Sequence, residues 1–301
     1  MYNYDNLYKL LEKHHLSKSD LTSLLHISSR TIAKISRGEK VANSVIKKLC
    51  SFFACDEEDI YTKVASNPIL QRLIEEKEHK ISGGLYHELQ IRMTYNSNHI
   101  EGSTLNEEQT RRIFETNTID TTDGLPVDDI IETVNHFRAI DYCIDVAENL
   151  LTEDIIKHLH FLLKSHTKDE TLPWFNVGDY KARPNVVGGV QTTHPNDVQS
   201  AMHKLLKEYN SLPSITINDI IAFHYNFEII HPFQDGNGRV GRLIAFKECL
   251  KHNIIPFIIE DRKKHFYYRG LNEWKNETGY LIDTCLDGQD TFKKLLQIFD
   301  L

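Results

Sequence analysis

One short interruption between two strongly apolar helical segments constrains the fold of this chain more than any other feature. Residues 218–230 place apolar side chains at helical spacing. That helix must end there, because Pro232 disfavours helical geometry in the residue before it. A second apolar helix is predicted to begin near Arg239 and to continue through Leu250. The loop at 231–238 therefore lies between the ends of two buried helices.

The composition of this loop is that of an anion-binding site. Gly236 and Gly238 flank Asn237, and two glycines allow positive φ and leave backbone N–H groups bare, so that several can converge on one anion. The following helix adds its dipole and its unpaired amides at the same place. Arg239 and Arg242 are three residues apart, so they share a helical face from which both reach back toward bound phosphates. The sequence predicts a polyphosphate site.

Two side chains at this loop suit an in-line transfer of a phosphoryl or nucleotidyl group. His231 stands just before the loop, and an imidazole can take a proton from an incoming hydroxyl near neutral pH. Asp235 has no basic neighbour within the loop and suits Mg²⁺, which proteins hold with one or two carboxylates and the phosphates of the substrate. We therefore expect a protein that positions reactants and neutralises charge.

The stretch HPFQDGNGRVGR, residues 231–242, resembles the motif of the Fic (Fido) family, which reads HPF, any residue, Asp or Glu, then GNGR, two residues and Arg. Every fixed position of that motif is met, and a motif of this length is far more specific than a lone glycine-rich turn. The resemblance covers about residues 66–301. It implies a mainly α, helical fold with one β-hairpin called the flap.

The resemblance also implies an activity, which is the transfer of AMP from ATP to a Ser, Thr or Tyr hydroxyl of a target protein or of the enzyme itself. His231 would be the general base and Asp235 the Mg²⁺ ligand, with Gly236–Gly238 as the anion hole. Arg239 would contact the β-phosphate and Arg242 the γ-phosphate. Related subfamilies that transfer other groups often lack the second glycine or the second arginine. This chain has both, which favours AMP transfer.

A second motif lies upstream of the phosphate loop. Ser97 and Glu101 are four residues apart and share a helical face, and Gly102 is well placed to end that helix. The three residues resemble the inhibitory motif of the family, which reads Ser or Thr, three residues, Glu, then Gly or Asn. The resemblance implies autoinhibition, in which Glu101 pairs with Arg242 and occupies the guanidinium that should hold the γ-phosphate. In some relatives the same glutamate assists removal of AMP, and that alternative stays open.

Two further segments resemble the parts of the family that bind substrate. Short extended runs flank Gly188-Gly189, which predicts a hairpin. Its edge could pair with a target segment by β-addition, although an ordinary surface hairpin would show the same pattern. Near the C-terminus, residues 265–279 resemble the adenine-side segment, or else supply core aromatics. The residues expected to bind substrate are Asn185, Val186, Val187 and Gly188 in the flap, and Tyr267, Tyr268 and Asn276 at the adenine.

The first 55 residues differ in charge from the rest of the chain. They contain nine Lys or Arg and four Asp or Glu, a net charge of +5, whereas the whole chain carries −8 and the remainder therefore −13. Residues 10–61 resemble the Cro and lambda-repressor class of helix-turn-helix domains. Ser29, Arg30 and Lys34 would lie on the DNA-facing side of the recognition helix. A small helical domain that docks on a protein is the alternative.

We expect three parts: a helix-turn-helix domain at 1–64, a helical region with the inhibitory motif at 65–125, and a catalytic core at 126–301. No signal peptide or membrane span is visible, and the five cysteines are scattered and odd in number. These features predict a soluble cytoplasmic enzyme, with a homodimer compatible with its DNA-binding class. The alternative function is a DNA-binding regulator whose pocket senses ATP or removes AMP from proteins.

Overall fold

The computed structural model describes residues 2–36, 38–63, 67–120 and 124–301 of the chain. It divides into two compact units, Met1–Ser66 and Asn67–Leu301. The domain boundary expected between residues 64 and 65 falls outside the described residues, as do positions 121–123 of the loop after the inhibitory motif. Both units are built mainly from helices, and the prediction of a mainly α protein is confirmed.

The first unit packs four helices around one core. Each helix contributes an almost fully buried side chain, namely Leu7, Leu21, Ile35 and Leu49. A short antiparallel pair of strands joins the two ends of the unit, which we did not expect because two-residue strands carry no periodicity. The elements are β1 (Tyr2–Asn3), α1 (Asp5–Lys13), α2 (Asp20–Leu25), α3 (Ser29–Ser36), α4 (Asn43–Phe53) and β2 (Thr62–Lys63).

The turn between α2 and α3 has helix-turn-helix form. His26 adopts a left-handed conformation with φ 54° and ends α2, and Ile27 is buried in the turn. The hydroxyl of Ser28 accepts a hydrogen bond from the backbone amide of Thr31 at 3.2 Å, which caps the start of α3. The turn presents the first residue pair of α3, residues 29–30, to solvent.

The second unit contains ten helices within the described residues. They are α5 (Pro68–Glu78), α6 (Leu85–Ile100), α7 (Glu107–Thr116), α8 (Val127–Asp145), α9 (Glu153–Lys164), α10 (Pro195–Asn210), α11 (Ile217–Ile230), α12 (Asn237–Lys251), α13 (Lys264–Glu273) and α14 (Gly279–Ile298). The predicted hairpin forms from β3 (Val186–Val187) and β4 (Val190–Gln191), with Val186 opposite Gln191. Gly188 and Gly189 both have positive φ, at 56° and 81°, as a two-residue hairpin turn requires.

Helix α12 is the centre of this unit. It packs against α11, α8, α9 and α6, and its side chains are buried on every face from Arg239 to Leu250. Four elements therefore converge on its N-terminus, where the glycine loop lies. No helix in the described part of the chain is both long enough and apolar enough to cross a membrane.

Two local features differ from the sequence-based expectation. Helix α10 was not anticipated, since its first turn begins with Pro195 behind His194, whose ring Nδ1 accepts from the amide of Asn196 at 3.3 Å in place of a more usual cap. Ile229, expected in the buried face of α11, is 48% exposed. It points instead toward a cavity described below.

Candidate active site

The glycine loop is stabilised by its own side chains. His231 ends α11 in a left-handed conformation with φ 50°, and Gly236 has φ 79° immediately before α12 begins. Asn237 fastens the loop through both atoms of its amide, since Oδ1 accepts from the N–H of Phe233 at 2.8 Å and Nδ2 donates to its carbonyl at 2.9 Å. The bare amides of the first turn of α12 therefore have a defined direction.

Gly238 is needed for space and not for backbone freedom. We expected both glycines of the loop to use positive φ, but only Gly236 does so. Gly238 lies within the first turn of α12, and a Cβ added to it would collide with Oε1 of Glu101. The inhibitory glutamate therefore lies directly over the amides that would hold phosphate.

A cavity of about 330 Å³ opens above this loop. The structure brings together at its walls most of the residues that the sequence singled out, although Glu101 and Tyr268 are 167 residues apart along the chain. The lining includes His231, Asp235, Gly236, Asn237, Gly238, Glu101, Val187, Tyr267 and Tyr268. The other three flap residues expected at the site lie in β3 or next to it. They are Asn185, Val186 and Gly188. This volume and mixed lining suit a nucleotide-sized ligand.

Asn276 does not take part in this cavity. It lies beyond the end of α13, is exposed, and donates a hydrogen bond to Glu273 Oε2 at 3.1 Å. Asn272 and Lys275 line the cavity in its place. The reason is helical geometry, since Asn272 is four residues after Tyr268 and so shares its face of α13.

His231 is neutral at physiological pH in this environment. Burial lowers its pKa to about 4, and the nearby ammonium of Lys181 adds to the effect. A neutral imidazole is the form that accepts a proton from a hydroxyl. Lys181 is itself only 3% exposed, and burial lowers its pKa to about 8. No pattern near the loop indicates this lysine, which lies fifty residues before His231.

Arg242 is fully engaged with the inhibitory motif. Its Nη2 lies 2.7 Å from Glu101 Oε1 and donates to the carbonyl of Ser97 at 2.9 Å, while its Nε donates to the Ser97 hydroxyl at 3.0 Å. Glu101 follows the last residue of α6, and Gly102 turns the chain away with φ 99°. Arg242 is buried and Glu101 is 30% exposed, so only the carboxylate is open to competition from the cavity.

Glu228 is a third carboxyl group at the cavity, besides Glu101 and Asp235, and sequence reasoning missed it. It lies on α11 three residues before His231, so helical spacing would have placed both on one face. Burial raises its pKa to about 8, the charge of Glu101 adds to this, and Arg242 opposes it. Its Oε1 is buried without a hydrogen-bond partner among the described atoms. At neutral pH it is therefore an uncharged acid.

Asp235 has basic neighbours, contrary to the expectation from the loop sequence. Lys164 Nζ lies 2.8 Å from its Oδ2 and Arg239 Nη2 lies 3.4 Å from the same oxygen. Burial alone would raise the pKa of Asp235, but these two cations outweigh it and hold the pKa below its usual range. Arg239 also pairs with Glu132. Lys164 and Glu132 lie far away along the chain, so the loop sequence could not reveal them.

The site fits a Mg²⁺ ion held by Asp235 together with substrate phosphates. Asp235 lines the cavity, and its side chain is 56% exposed. Both cations contact Oδ2, so neither of them takes up Oδ1. One carboxylate with phosphates is a usual Mg²⁺ environment.

The base of the flap is fastened to the phosphate loop. Lys181 Nζ donates to Asn185 Oδ1 at 2.8 Å and to the hydroxyl of Thr192 at 2.6 Å, which are on the two sides of the hairpin. The backbone N–H of Lys181 donates to the carbonyl of Pro232 at 2.9 Å. The hydroxyl of Thr192 thus supplies one of these contacts. Val186 is 64% exposed and Val187 49% exposed on the strand above.

In the first unit, the three residues expected at DNA lie in the first two turns of α3. Ser29 and Arg30 are exposed and Lys34 is half-buried. A recognition helix reads base edges with residues near its N-terminus, which is where these side chains lie.

Comparison with known proteins identifies two domains. Residues 150–248 match the model of the Fic/DOC family, and residues 6–66 match that of the Cro/C1-type HTH DNA-binding domain. The Fic match includes the loop, the flap and His231, whereas Glu101 and Tyr267 lie outside it.

Curated relatives named protein adenylyltransferase Fic match part of this chain. The protein from Aedes aegypti is 28% identical over 188 residues, which are 60% of this chain and 36% of the relative. The protein from Nematostella vectensis is 29% identical over 192 residues, which are 60% of this chain and 42% of the relative. The chain thus spans less than half the length of these relatives.

Solved structures show the same fold at lower identity. A Fic domain containing signaling protein from Bacteroides thetaiotaomicron has a TM-score of 0.62 and 21% identity, with 77% of this chain and 95% of that chain covered. Fic-1 from C. elegans has a TM-score of 0.61 and 18% identity, with 77% and 72% covered. At this level of identity, the similarity concerns the fold.

Proposed function

The chain contains a Fic/DOC domain behind a Cro/C1-type helix-turn-helix domain, and from this premise we propose that it transfers AMP from ATP to a Ser, Thr or Tyr hydroxyl of a target protein. The observation that supports this most strongly is the single cavity that joins a neutral His231 to the bare amides of Gly236–Gly238. A neutral base beside an anion site is what a hydroxyl and a triphosphate require.

In the proposed reaction, the acceptor hydroxyl gives its proton to the imidazole of His231 while its oxygen attacks the α-phosphorus of ATP. The bond between the α-phosphorus and the bridging oxygen breaks, and pyrophosphate leaves. The amides at the start of α12 hold the phosphates in line with the attack. Bound Mg²⁺, held by Asp235 and phosphate oxygens, would neutralise phosphate charge.

The arginines of the loop have different tasks in this proposal. Arg239 contacts the β-phosphate from its ion pair with Glu132 and Asp235. Arg242 binds the γ-phosphate once Glu101 has left it. The present contact between Glu101 and Arg242, together with the position of the Glu101 carboxylate directly over Gly238, supports an autoinhibited resting state.

The purine is proposed to bind at the opposite end of the cavity. Tyr268, Leu271 and Ile229 give this end an apolar wall, and Asn272 adds an amide that could read the edge of the base. Tyr267 is 1% exposed, and its hydroxyl lies 2.7 Å from His224 Nε2. Its ring therefore supports the wall from behind. Asn272 replaces Asn276 in this assignment.

The target protein is proposed to bind along the flap. The exposed Val186 and Val187 would pair with an extended segment of the target by β-addition. The hydrogen bonds from Lys181 to Asn185 and Thr192 hold the base of the hairpin, and so keep that segment at a constant distance from His231.

The experiment that tests this function follows phosphate label from ATP into protein. With ATP labelled at the α-phosphate, AMP transfer leaves the label on protein, whereas with ATP labelled at the γ-phosphate it does not. We expect this pattern from a Glu101→Gly variant with Mg²⁺ and its loss in Glu101→Gly/His231→Ala. Retention of γ-label would instead indicate a kinase, and no label from either source would reject the transferase.

The helix-turn-helix match favours a second function, namely sequence-specific binding of DNA through Ser29, Arg30 and Lys34. A duplex selected from a random pool should be retained by the full chain at low salt and released as salt rises. Arg30→Ala should weaken retention, and Lys9→Ala on α1 serves as a matched surface control. Equal retention by both variants would argue for a protein-docking domain.

This second function also defines the alternative for the whole chain, a DNA-binding regulator whose Fic domain senses ATP or removes AMP from proteins. Release of AMP from a modified protein, without forward transfer by the Glu101→Gly variant, would favour that alternative. We propose that the protein acts in the cytoplasm, as unpaired cysteines suit a reducing compartment. A homodimer on a palindromic site agrees with the repressor class.

A further inference from the structure

A buried ammonium occupies the centre of a carboxylate cluster behind the phosphate loop. Lys164, the last residue of α9, is 2% exposed, and its Nζ lies 2.6 Å from Glu132 Oε1, 2.6 Å from Asp169 Oδ2 and 2.8 Å from Asp235 Oδ2. Each carboxylate offers an oxygen, and the three oxygens lie within 4.8 Å of one another. That spacing would suit a divalent cation, but the lysine head group fills the position. We call these four residues the lysine knot.

The charges of the lysine knot do not cancel, even with Arg239 included. Two cations face three carboxylates in this set, so one negative charge is left over. Glu132 and Asp169 are 15% and 19% exposed, whereas Asp235 is 56% exposed. Because a buried unpaired charge is costly, the excess negative charge is best placed on Asp235, at the cavity.

The contacts also fix which oxygen of Asp235 faces inward. Lys164 and Arg239 approach Oδ2 from the side of the knot. Rotation of the carboxylate would break both charge-assisted contacts, so its orientation is constrained by the knot. The lysine thus acts on the loop through Asp235 and does not itself line the cavity.

We propose that Lys164 is a positioning residue that substitutes for a metal ion inside this cluster, and so presents Asp235 to the metal of the nucleotide through one oxygen only. The part that concerns nucleotide-bound metal rests on the proposed function. The substitution of metal by ammonium concerns the chain alone. Removal of the ammonium should therefore convert the cluster into a divalent metal site that needs no nucleotide.

The first experiment measures binding of Mn²⁺ alone to the full chain, by electron paramagnetic resonance of free Mn²⁺. Lys164→Met should bind one Mn²⁺ at least ten-fold more tightly than the wild type in the absence of ATP. The double variant Lys164→Met/Asp169→Asn should lose at least ten-fold of that affinity, because one of the three ligands is gone. Mn²⁺ binding by Lys164→Met no tighter than by wild type, or unchanged by Asp169→Asn, would overturn the proposal.

Thermal unfolding tests the same proposal if the variant Lys164→Met is unstable. With Arg239 counted, Lys164→Met leaves an excess of two negative charges in the lysine knot. The further change Asp169→Asn restores the excess of one found in the wild type. We expect Mn²⁺ to raise the Tm of Lys164→Met by several degrees more than that of the wild type or the double variant. A single variant that stays unfolded even with Mn²⁺ would count against the proposal, since the ion is predicted to replace the ammonium.

A second measurement separates positioning from a purely structural role. In the Glu101→Gly background, Lys164→Met should raise the Mg²⁺ concentration that half-saturates ATP binding by at least five-fold, with the affinity for metal-free ATP unchanged. A lysine that only supported the fold would weaken both. Because the Mn²⁺ experiment needs neither ATP nor a target protein, failure of AMP transfer would leave its result intact, and the two failures can be told apart.

Discussion

Individual side chains at the cavity differ in whether burial leaves them charged. Arg242 has Glu101 as an ion-pair partner, with Nη2 2.7 Å from Oε1. His231 and Glu228 have no such partner, and burial shifts their pKa values to about 4 and about 8. At neutral pH His231 is therefore a neutral base and Glu228 a neutral acid, and the cation of Arg242 is already paired with Glu101. A triphosphate must displace Glu101 to reach that cation.

Removal of the Glu101 side chain should release the enzyme. We expect Glu101→Gly to raise AMP transfer, including self-modification, by at least ten-fold, which corresponds to about 1.4 kcal/mol of transition-state free energy. The side chain both neutralises Arg242 and covers Gly238. Transfer of α-labelled phosphate measures the effect.

A matched variant separates the effect of the Glu101 charge on Arg242 from the effect of its side chain over Gly238. Glu101→Gln keeps the size of the side chain and loses its charge, so its rate should lie between those of wild type and Glu101→Gly. Equal rates for wild type and Glu101→Gly would remove the brake from the mechanism.

The pH dependence of kcat/KM should report the depressed pKa of His231. The neutral imidazole is the active form, so activity falls as pH drops through that pKa, which is about 4 with Glu101 present and lower in the Glu101→Gly enzyme, because the charge of Glu101 raises it. The charge of Lys181 helps to depress it. Lys181→Met should therefore move the acidic limb to higher pH, while Lys181→Arg keeps it in place. If the acidic side of the pH profile of kcat/KM does not move in Lys181→Met, then the pKa of His231 does not determine it.

Among the secondary-structure elements, α6 contains Ser97 and leads directly into Glu101, the two side chains of the proposed brake. Its C-terminal end is held against α13 and the segment before it. The hydroxyl of Tyr268 donates to the carbonyl of Ile100 at 2.9 Å, and the amide of Asp261 donates to Asn96 Oδ1 at 2.8 Å. Tyr268 also lines the cavity. The same side chain thus contacts both the proposed purine end and the inhibitory helix.

Loss of the Tyr268 hydroxyl should loosen the brake without a change at Glu101. We expect Tyr268→Phe to raise AMP transfer about two- to twelve-fold, because one hydrogen bond contributes about 0.5–1.5 kcal/mol. In the Glu101→Gly background the same change should have no such effect, since no brake remains. A similar increase in both backgrounds would place the effect in the cavity and not in α6.

At the scale of the molecule, several buried histidines link stability to pH. Burial lowers the pKa values of His136, His160 and His224 to about 3, and that of His231 to about 4. Their unfolded forms take up protons below about pH 6.5 while the folded forms do not. Stability contributed by these groups is therefore present above pH 6.5 and lost as pH falls toward 4.

Glu228 has the opposite effect. Its folded pKa of about 8 lies above the ordinary value of 4.5, so its contribution is complete below pH 4.5 and is lost as pH rises toward 8. From these five groups we expect the free energy of unfolding to rise steeply between pH 4.5 and 6.5 and to decline gently between 6.5 and 8. Urea unfolding of the full chain across this range tests the shape. Glu228→Gln should flatten the decline, and an unchanged decline would contradict the assignment.

The helical class, the hairpin and the phosphate loop could be predicted from the sequence because each depends on neighbouring residues. Pro232 ends a helix, Gly236 permits a left-handed turn, and Gly188 with Gly189 closes a hairpin. Helix α10 and the strands β1 and β2 could not be predicted as readily. The former begins with an unusual cap, and the latter are too short to show a periodicity.

By itself, the sequence determined where a triphosphate would bind and which histidine stands beside it, since backbone freedom and helix termini are local properties. Only the tertiary structure decided the electrostatics of that site. Lys164, Glu132 and Lys181 approach the loop from distant parts of the chain, and Asn272 takes the place expected for Asn276. The pairing of charges and their neutralisation by burial depend on this long-range packing. The spacing of residues along the chain does not encode that packing.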